Sequence, residues 1–368
     1  MQFDIKHIFS QFNTSSDFVN SFEINSGHIN DTFHIETETP PYYILQRINH
    51  LVFQNVPSLM QNKVSISKHL SQKLSHIYDE KLHKYVLTFA NTKSGENFYI
   101  DENGNYWNLM LYVDNCVNYL TVEESKHAYE AGRIFGEFLY LTKDFDSSSL
   151  YEVIPNFHTM SFRFRQFDEA VLKADENRKS NAKELVDLAN SLRGEMTKLE
   201  VLTAQKKIPL RVTHNDTKIS NVLFSQKGEA LCVIDTDTVM QGIIHFDFGD
   251  AIRIICNTAD EDEKDLSKIA FNLDYYEAFT KGFIGSMKNE ILEIEVEYLA
   301  FSAKMMTFII GLRFLTDFLN NDIYFKTAYE THNLVRAKNQ FQLINNIEKN
   351  MNQMKEIVNR EFIKNSCL

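Results

Sequence analysis

The chain of 368 residues carries 38 Lys and Arg against 50 Asp and Glu, a formal charge of −12. Hydrophobic residues make up 43% and charged residues 24%, a balance that excludes a disordered chain and indicates a sizeable core in one large or two ordinary domains. The acidic excess argues against a nucleic-acid binder, because such proteins need a basic face for phosphate contacts.

Residues 1–113 are predicted to form a small β-rich lobe. Their short apolar runs alternate with polar residues in the manner of strands. One helix is predicted over Pro57–Leu74, where the proline suits the first helical turn. The lobe is therefore expected to be an antiparallel sheet with one helix. The predicted strands are Ser21–Asn25, Thr32–Glu36, Tyr42–Arg47, Tyr85–Phe89, Asn97–Ile100 and Trp107–Val113.

Residues 114–368 are predicted to form a large, mainly helical lobe, so the fold class is α+β. Apolar residues recur every three or four positions in most of its segments, as in helices with one buried face. One hairpin is predicted among them, with strands Asn221–Phe224 and Ala230–Asp235. The acidic run Asp260–Asp265 is predicted to be an exposed loop or a helix start. The predicted helices are Val122–Thr142, Ala182–Leu202, Ile291–Leu319 and Asn333–Phe362.

Cysteine usage and the N-terminal segment bear on the cellular compartment. The four cysteines form no C-x-x-C pair and no His/Cys cluster, so neither a disulfide framework nor a zinc site is predicted. No uncharged stretch is as long as a membrane span, and MQFDIKHIFSQF lacks the order of a signal peptide. We therefore expect a cytoplasmic protein that binds neither membrane nor nucleic acid; these features leave the oligomeric state open.

The richest polar cluster has the spacing H-x-D-x-x-x-x-N and contains His214, Asp216 and Asn221. Asp235 follows at the end of the second hairpin strand, which would bring it beside Asn221. Phosphoryl transfer needs a carboxylate facing the attacking hydroxyl, with an amide oxygen and a second carboxylate for the magnesium. The alternative is that Asp216 and Asn221 are turn and cap residues. Because the motif comes with the strands, the turn and the second Asp, phosphoryl transfer is favoured.

The same segment carries a family resemblance. The runs VTHNDTKISNVLF, CVIDTDTV and HFDFGDAIR resemble the catalytic segment of the aminoglycoside phosphotransferase and choline kinase superfamily, which has a bilobal protein-kinase-like fold. Within it, the chain is similar to the N-acetylhexosamine 1-kinases. The resemblance extends over nearly the whole chain through GHINDTF, YILQRIN, WNLMLYVD, FIIGLRFLTDFLNNDIYF and HNLVRAKNQF.

The resemblance implies roles for the residues of the catalytic segment. Asp216 would be the catalytic base, with Asn221 and Asp235 as ligands of Mg²⁺. Three further residues would support the catalytic loop. Asp250 also lies three residues before Arg253, so a local ion pair is an alternative interpretation. The three supporting residues are His214, Asp247 and Asp250.

A turn with one glycine lies between the first two predicted strands. There, Gly27 and the small polar residues after it would let backbone N–H groups approach nucleotide phosphates. An ordinary hairpin turn is the alternative. The resemblance adds that His28 contacts the sugar. The predicted nucleotide-binding residues in this turn are Gly27, Asn30 and Thr32.

The third strand departs from the protein-kinase pattern, which places a lysine there and pairs it with a helix glutamate. The strand ends in Gln46-Arg47, and no Asp or Glu occurs between Asn49 and Tyr78. A lysine–glutamate pair of that kind therefore cannot form, which argues against a protein kinase. Arg47 is predicted to contact the phosphates, since a guanidinium suits bidentate contact; alternatively it is a surface charge.

A lone charge, Arg313, lies in the apolar run FIIGLRFL. An arginine in a buried helix is costly unless it is paired or reaches a cavity. Asp317, one helical turn further on, is a possible structural partner. The resemblance implies instead that Arg313 and Tyr324 bind the acceptor sugar together with Asp216 and His28.

These observations predict an ATP- and Mg²⁺-dependent kinase for the anomeric hydroxyl of N-acetylglucosamine or N-acetylgalactosamine. One alternative is a kinase of another small hydroxylated acceptor, such as an aminoglycoside, choline or homoserine. Another is a catalytically inactive binding module, whose expected signature is the loss of Asp216, Asn221 or Asp235. All three are present.

Overall fold

The computed structural model describes residues 3–24 and 29–366. Its strands are β1 Phe18–Ile24, β2 Asp31–Thr37, β3 Tyr43–Ile48, β4 Phe89–Ala90, β5 Tyr99–Ile100, β6 Tyr106–Leu111, β7 Cys116–Asn118, β8 Arg211–Thr213, β9 Val222–Ser225, β10 Ala230–Val233 and β11 Met240–Gly242. Its helices are α1 Ile5–Phe9, α2 Val56–Tyr78, α3 Ser125–Leu141, α4 Met160–Lys173, α5 Glu176–Met196, α6 Lys198–Ala204, α7 Ile244–Ile255, α8 Leu273–Met287, α9 Glu293–Leu319 and α10 His332–Ser366.

The chain divides into two compact units, each built from several segments. The first unit comprises Met1–Asn118, Leu141–Pro155 and Asn221–Gln241. The second comprises Tyr119–Tyr140, Asn156–Ser220 and Gly242–Leu368. The sequence analysis divided the chain once, after residue 113, whereas here the catalytic hairpin belongs to the first unit and the loop before it to the second.

The first unit is organised around an antiparallel sheet. Its strands lie in the order β1-β2-β3-β6-β4, and β5 pairs with β6. Alternate residues such as Ile35, Leu45 and Leu109 point into a core that Phe9 and Phe12 of the N-terminal segment cover. The alternation that predicted β1, β2, β3 and β6 is therefore the alternation of this buried face.

One predicted strand of this unit is wrong. Tyr85–Phe89 was expected to be extended, but Asp79–Lys84 forms a 3₁₀ helix and β4 is confined to Phe89–Ala90. The ring of Tyr85 stacks on Tyr78 with centroids 3.6 Å apart, which draws this segment against the end of α2. α2 is longer than predicted, and the Asn55 side chain caps it by accepting the backbone N–H of Ser58.

The predicted catalytic hairpin is confirmed as β9 and β10. Gly228 in its turn has φ +74°, a conformation that favours glycine. β7, which the sequence analysis missed, adds to β9 on the other side and makes a three-stranded sheet. The hairpin thereby gains a neighbour that fixes its position within the first unit.

The second unit is built around α9, whose residues are buried over most of its length. Gly249 of α7 lets the two helices approach closely, because a Cβ there would lie 2.3 Å from the carbonyl oxygen of Ser302. α9 is long and apolar enough to cross a membrane by length and composition, but 78% of its most apolar window is buried inside the protein. It is therefore packed like the central helix of a globular domain.

Two long helices of the second unit were predicted with nearly correct bounds. The segments predicted as Ile291–Leu319 and Asn333–Phe362 are α9 and α10. The prediction over Ala182–Leu202 is interrupted at Thr197, where α5 ends and α6 begins. The acidic run Asp260–Asp265 is a loop before a short 3₁₀ turn. α4, α7 and α8 were missed.

Candidate active site

The loop between β8 and β9 carries the H-x-D-x-x-x-x-N motif, and Asp247 of α7 holds its first residues. The carboxylate of Asp247 accepts the backbone N–H of His214 at 2.9 Å and of Asn215 at 2.7 Å. The hydroxyl of Thr217 donates to the backbone carbonyl of Asp247 at 2.6 Å. These contacts support Asn215 in its left-handed conformation, φ 64°. Asp247 thus lies where the sequence predicted a support for this loop.

Burial is the main influence on the pKa of Asp247. Desolvation raises the pKa of this carboxyl to about 6, although the neighbouring His214 and the two backbone N–H groups act in the opposite direction. His214 is itself fully buried against the rings of Phe135 and Phe138. The loop is therefore supported from both sides.

Asp216, the predicted catalytic base, follows directly in this loop. Its side chain is 29% exposed, and one oxygen lies 2.9 Å from the ammonium of Lys218. The buried pair Asp250 and Arg253 is close enough for electrostatic influence. Burial alone would lower the pKa of Arg253, but Asp250, Glu261 and Asp216 together raise it. Asp216 is thus a reachable carboxylate beside two cations.

The predicted ion pair between Asp250 and Arg253 is present. One oxygen of Asp250 accepts from Nε of Arg253 at 2.9 Å, and the guanidinium also reaches Glu261 at 3.1 Å. Both partners of the pair are largely buried, with side chains 7% and 11% exposed. It is therefore a buried pair and not the surface pair considered in the sequence analysis, and the support of the loop by Asp250 stays a prediction.

Arg313 lies against Tyr324 and not against Asp317. Nη2 of Arg313 is 3.4 Å from the hydroxyl of Tyr324, and the guanidinium packs over the rings of Phe157, Tyr324 and Phe325. Asp317 instead accepts the backbone N–H groups of Tyr324 and Phe325 at 2.8 and 2.9 Å. The alternative of a structural Arg313–Asp317 pair is wrong, because Asp317 anchors the loop that presents Tyr324.

A second arginine, Arg163 of α4, reaches the same place and was missed in the sequence analysis. Its Nη2 donates to the backbone carbonyl of Phe157 at 2.7 Å, the residue whose ring lies under Arg313. Burial and the charge of Arg313 lower the pKa of Arg163 to about 10. Within residues 3–24 and 29–366, neither guanidinium forms an ion pair with a carboxylate.

His158 completes this group. It is 8% exposed, and its ring packs against Phe157 and Phe246. Burial, then the charges of Arg313 and Arg163, lower its pKa to about 3, while the charge of Asp216 acts in the opposite direction. Arg163 and Arg313 both contact Phe157, and the ring of Phe157 packs on His158, so these residues lie close together in the second unit. We call Arg163, Arg313 and His158 the basic cluster.

The two predicted metal ligands lie in the first unit. The backbone N–H of Ile234 donates to the carbonyl of Asn221 at 2.9 Å, which brings Asp235 beside Asn221. Asp235 has the left-handed conformation φ 58°, ψ 56°. An amide oxygen and a carboxylate are suitable donors for Mg²⁺, which usually takes one or two protein ligands and completes its shell with phosphates and water. This pair of donors fits that chemistry.

Asp237, two residues after Asp235, is held by two side chains of the first unit. Lys63 of α2 forms an ion pair with its Oδ1, and Asn30 donates to its Oδ2 at 2.5 Å. Both charged side chains are buried, 2% and 4% exposed. Asn30, predicted to bind nucleotide, also accepts the backbone N–H of Asn49 at 2.9 Å. Asn30 is thus part of the support of this segment.

The remaining predicted nucleotide-binding residues are differently placed. Arg47 forms an ion pair with Asp31, donates to Asn105 at 3.3 Å and lies over the ring of Phe3. These contacts favour a structural charge, and the phosphate contact stays a prediction. Thr32 pairs within the sheet opposite Gln46. Gly27 and His28 lie outside the described residues.

The sequence carried a signal for the buried Lys63 of the first unit, but none for the half-buried Arg163 of the second. Lys63 shares a helical stripe with the buried residues Val56, Leu59 and Met60, where a cation requires a partner. Arg163 lies beside the buried Phe164 in a helix that was not predicted. The partners themselves are distant in sequence, so no local pattern identifies them.

Most of the chain matches a known family of enzymes. A family model described as a phosphotransferase enzyme family matches residues 23–279. This range is more than half of the chain and includes β2, the loop between β8 and β9, and α7. Among the described residues, no three His, Cys, Asp or Glu side chains cluster as an independent metal site.

The solved structures that superpose on this chain include an aminoglycoside phosphotransferase and two kinases. An aminoglycoside phosphotransferase from Alicyclobacillus acidocaldarius superposes with a TM-score of 0.66 at 11% identity, over 98% of either chain. An amicoumacin kinase in complex with AMP-PNP, Ca²⁺ and Ami gives 0.61 at 14%, over 93% of this chain and 94% of that one. A choline kinase from Cryptosporidium parvum gives 0.53 at 14%, over 94% and 93%. The likeness shows the fold, an antiparallel sheet with a largely helical lobe as in these kinases.

Proposed function

The chain belongs to the phosphotransferase enzyme family, and we propose that within it this enzyme transfers the γ-phosphate of ATP to the anomeric hydroxyl of an N-acetylhexosamine. The products are the sugar 1-phosphate and ADP. The observation that carries the choice of acceptor is the basic cluster, which contains Arg313, a residue that the resemblance assigns to sugar binding. The enzyme is proposed to act in the cytoplasm.

Asp216 is the catalytic base in this proposal. It accepts the proton of the 1-hydroxyl as that oxygen attacks the γ-phosphorus in line, and the bond from that phosphorus to the leaving ADP oxygen breaks. Asp247 holds the two residues before Asp216 through their backbone N–H groups and so keeps the loop in one conformation. Such preorganisation is what phosphoryl transfer requires of the protein, because the protein does little covalent chemistry itself.

Asn221 and Asp235 are the residues that would hold the magnesium ion. When bound with ATP, the ion would neutralise charge on the β- and γ-phosphates. Binding of ATP itself is supported by the catalytic segment and by the nucleotide analogue in the amicoumacin kinase structure. In this proposal the residues at the base of the hairpin would hold the metal, and Asp216 in the loop before it would activate the acceptor.

The basic cluster favours an acceptor that has hydrogen-bond-accepting oxygens and no positive charge. Neither guanidinium group of the cluster has a carboxylate partner among the described residues, so both can donate to hydroxyl and carbonyl oxygens. A sugar ring and its acetamido group supply such oxygens. The aromatic rings of Phe157, Tyr324 and Phe325 beside Arg313 add an apolar wall for the ring face. A cationic aminoglycoside or choline would meet repulsion here.

Four of the carboxylates that could have served a cationic acceptor have other partners. Asp31 pairs with Arg47, and Asp317 accepts backbone N–H groups of the Tyr324 loop. In the acidic loop, Glu261 contacts Arg253 and Asp262 lies 3.2 Å from His332. These contacts support an N-acetylhexosamine over the alternative cationic acceptors. The inactive-module alternative is disfavoured because Asp216, Asn221 and Asp235 are all present.

A coupled assay of ADP release tests the proposal. The purified protein is incubated with MgATP and, in separate reactions, with N-acetylglucosamine, N-acetylgalactosamine, glucose, choline, homoserine and kanamycin. We expect release with an N-acetylhexosamine well above that with the other acceptors. Turnover only with choline or kanamycin would overturn the choice of acceptor, and binding of MgATP without turnover on any acceptor would favour the inactive module.

A further inference from the structure

Lys63 and Asp237 form a buried ion pair that the proposed reaction does not explain by itself. Their side chains are 2% and 4% exposed, and 174 positions separate them in the sequence. Removing two charges from water costs several kcal/mol per ion, so a buried pair is weak evidence for a role in stability. Apolar residues of similar volume would hold α2 in place equally well. The pair therefore calls for another explanation.

Asp237 belongs to the short segment that carries the predicted metal ligand. Asp235 directly precedes the 3₁₀ turn Thr236–Thr238, and its left-handed conformation is one that a residue with a side chain rarely adopts. Such a conformation persists only where the surroundings fix it. Both oxygens of Asp237 are used, Oδ1 by Lys63 and Oδ2 by Asn30. Asp237 is thus an anchor and not a further metal ligand.

α2 holds the segment at a second point. Asn62, the residue before Lys63, donates from Nδ2 to the backbone carbonyl of Val239 at 3.0 Å. The same amide also donates to the carbonyl of Tyr151 at 2.8 Å. Two consecutive residues of one helix therefore fix the chain on the C-terminal side of Asp235, at positions 237 and 239.

The cation of this pair comes from the helix, where a protein kinase has its carboxylate. In protein kinases the lysine is on the third strand and the glutamate on the helix. Here Gln46 of β3 faces the same region, and its Oε1 lies 3.4 Å from Nζ of Lys63 and 3.3 Å from Nδ2 of Asn108. In this chain the lysine of the pair lies on α2, and its partner lies in the segment that follows Asp235.

We propose that Lys63 is a positioning residue that, through Asp237, holds Asp235 in the conformation that binds the metal–nucleotide complex. This inference rests on the proposed function only in taking Asp235 as a magnesium ligand. Lys63 thereby takes over the task of the strand lysine and helix glutamate in orienting the site.

The test is binding of Mg²⁺ and ADP, which requires neither acceptor nor turnover. Mg²⁺ is titrated at saturating ADP, and the midpoint is read from the thermal shift of the full chain. Lys63→Met keeps the length of the side chain but removes its charge, and the double variant Lys63→Met, Asp237→Asn also removes the charge left behind. Lys73→Met is the matched control, since Lys73 lies on the same helix and pairs with Asp144, 38% and 51% exposed.

We expect the Mg²⁺ midpoint to rise at least about tenfold in Lys63→Met and to stay raised in the double variant, although the double variant regains thermal stability. Lys73→Met should keep the parental midpoint. A parental midpoint in the folded double variant would overturn the inference, because it would show that the pair serves only the fold. If the parent itself shows no Mg²⁺-dependent shift with ADP, the proposed function fails instead, so the two failures are distinguishable.

Discussion

The carboxylate of Asp247 accepts the backbone N–H of Asn215 at 2.7 Å, although 32 residues separate them. The contact joins the first turn of α7 to the residue directly before Asp216. Asn215 has a positive φ that a non-glycine residue adopts at a cost, so the loop depends on such support. The position of the proposed base is thus set by a residue outside the motif that identified it.

Replacing Asp247 with Asn is expected to reduce both stability and turnover. One oxygen becomes an amide that faces a backbone N–H, and a buried donor is left without an acceptor, which costs about 1–3 kcal/mol of unfolding free energy. Urea denaturation and the ADP-release assay measure the two effects. The exposed Asp187→Asn is the control. Unchanged turnover in a destabilised Asp247→Asn would contradict a role for this contact in positioning Asp216.

Asp216→Asn should abolish phosphoryl transfer while nucleotide binding remains. An amide cannot accept the proton of the attacking hydroxyl, and removing a general base costs about 10²–10⁴-fold in kcat. The thermal shift with MgATP should be close to that of the parent, because Asn221 and Asp235 are unchanged. A variant that keeps more than about a tenth of the parental kcat would refute Asp216 as the base.

Arg313→Lys is expected to raise KM for the N-acetylhexosamine about tenfold or more and to leave KM for ATP unchanged. The ammonium retains the charge but loses the planar fork that reaches Tyr324 and that is proposed to bind the acceptor. Arg165→Lys on the exposed side of α4 is the matched control. Equal changes in both Michaelis constants, or no change in either, would count against Arg313 as a sugar-binding residue.

His158 should make stability fall in mild acid. Its pKa is lowered to about 3 in the folded protein, against an ordinary value of 6.5, so the unfolded chain takes up the proton first. This group therefore contributes stability that is complete above pH 6.5 and is lost as the pH falls toward 3. Between pH 7 and pH 5 the loss is about 2 kcal/mol.

The pH dependence of urea denaturation measures that contribution. His158→Gln has no proton to take up, so its unfolding free energy should fall less between pH 7 and pH 5 than that of the parent. Asp247 acts in the opposite direction, because its raised pKa stabilises the folded protein at pH 5 relative to pH 7, and it is common to both proteins. A parental slope in His158→Gln, equal to that of the exposed His7→Gln, would show that His158 is not the group responsible.

Periodicity in the sequence predicted the elements that bury one face. β1, β2 and β3 were predicted to within a few residues, as was α10, whereas α9 was predicted from the length of its apolar run. α7 escaped because its residues are buried on nearly every side, so HFDFGDAIR has no polar stripe to set its period. The motif identified Asp216, Asn221 and Asp235 because their spacing is local. The pairing of Lys63 with Asp237 and the approach of Arg163 to Arg313 depend on tertiary contacts, which one sequence does not contain.

The position of the transferred phosphate tests the central claim most directly. The protein is incubated with MgATP and N-acetylglucosamine or N-acetylgalactosamine, and the product is analysed by ³¹P–¹H correlation NMR. We predict a cross-peak between the new phosphorus signal and the anomeric proton of the sugar, absent in the Asp216→Asn reaction. Correlation with a proton elsewhere on the ring, or no sugar phosphate with either acceptor, would contradict the account.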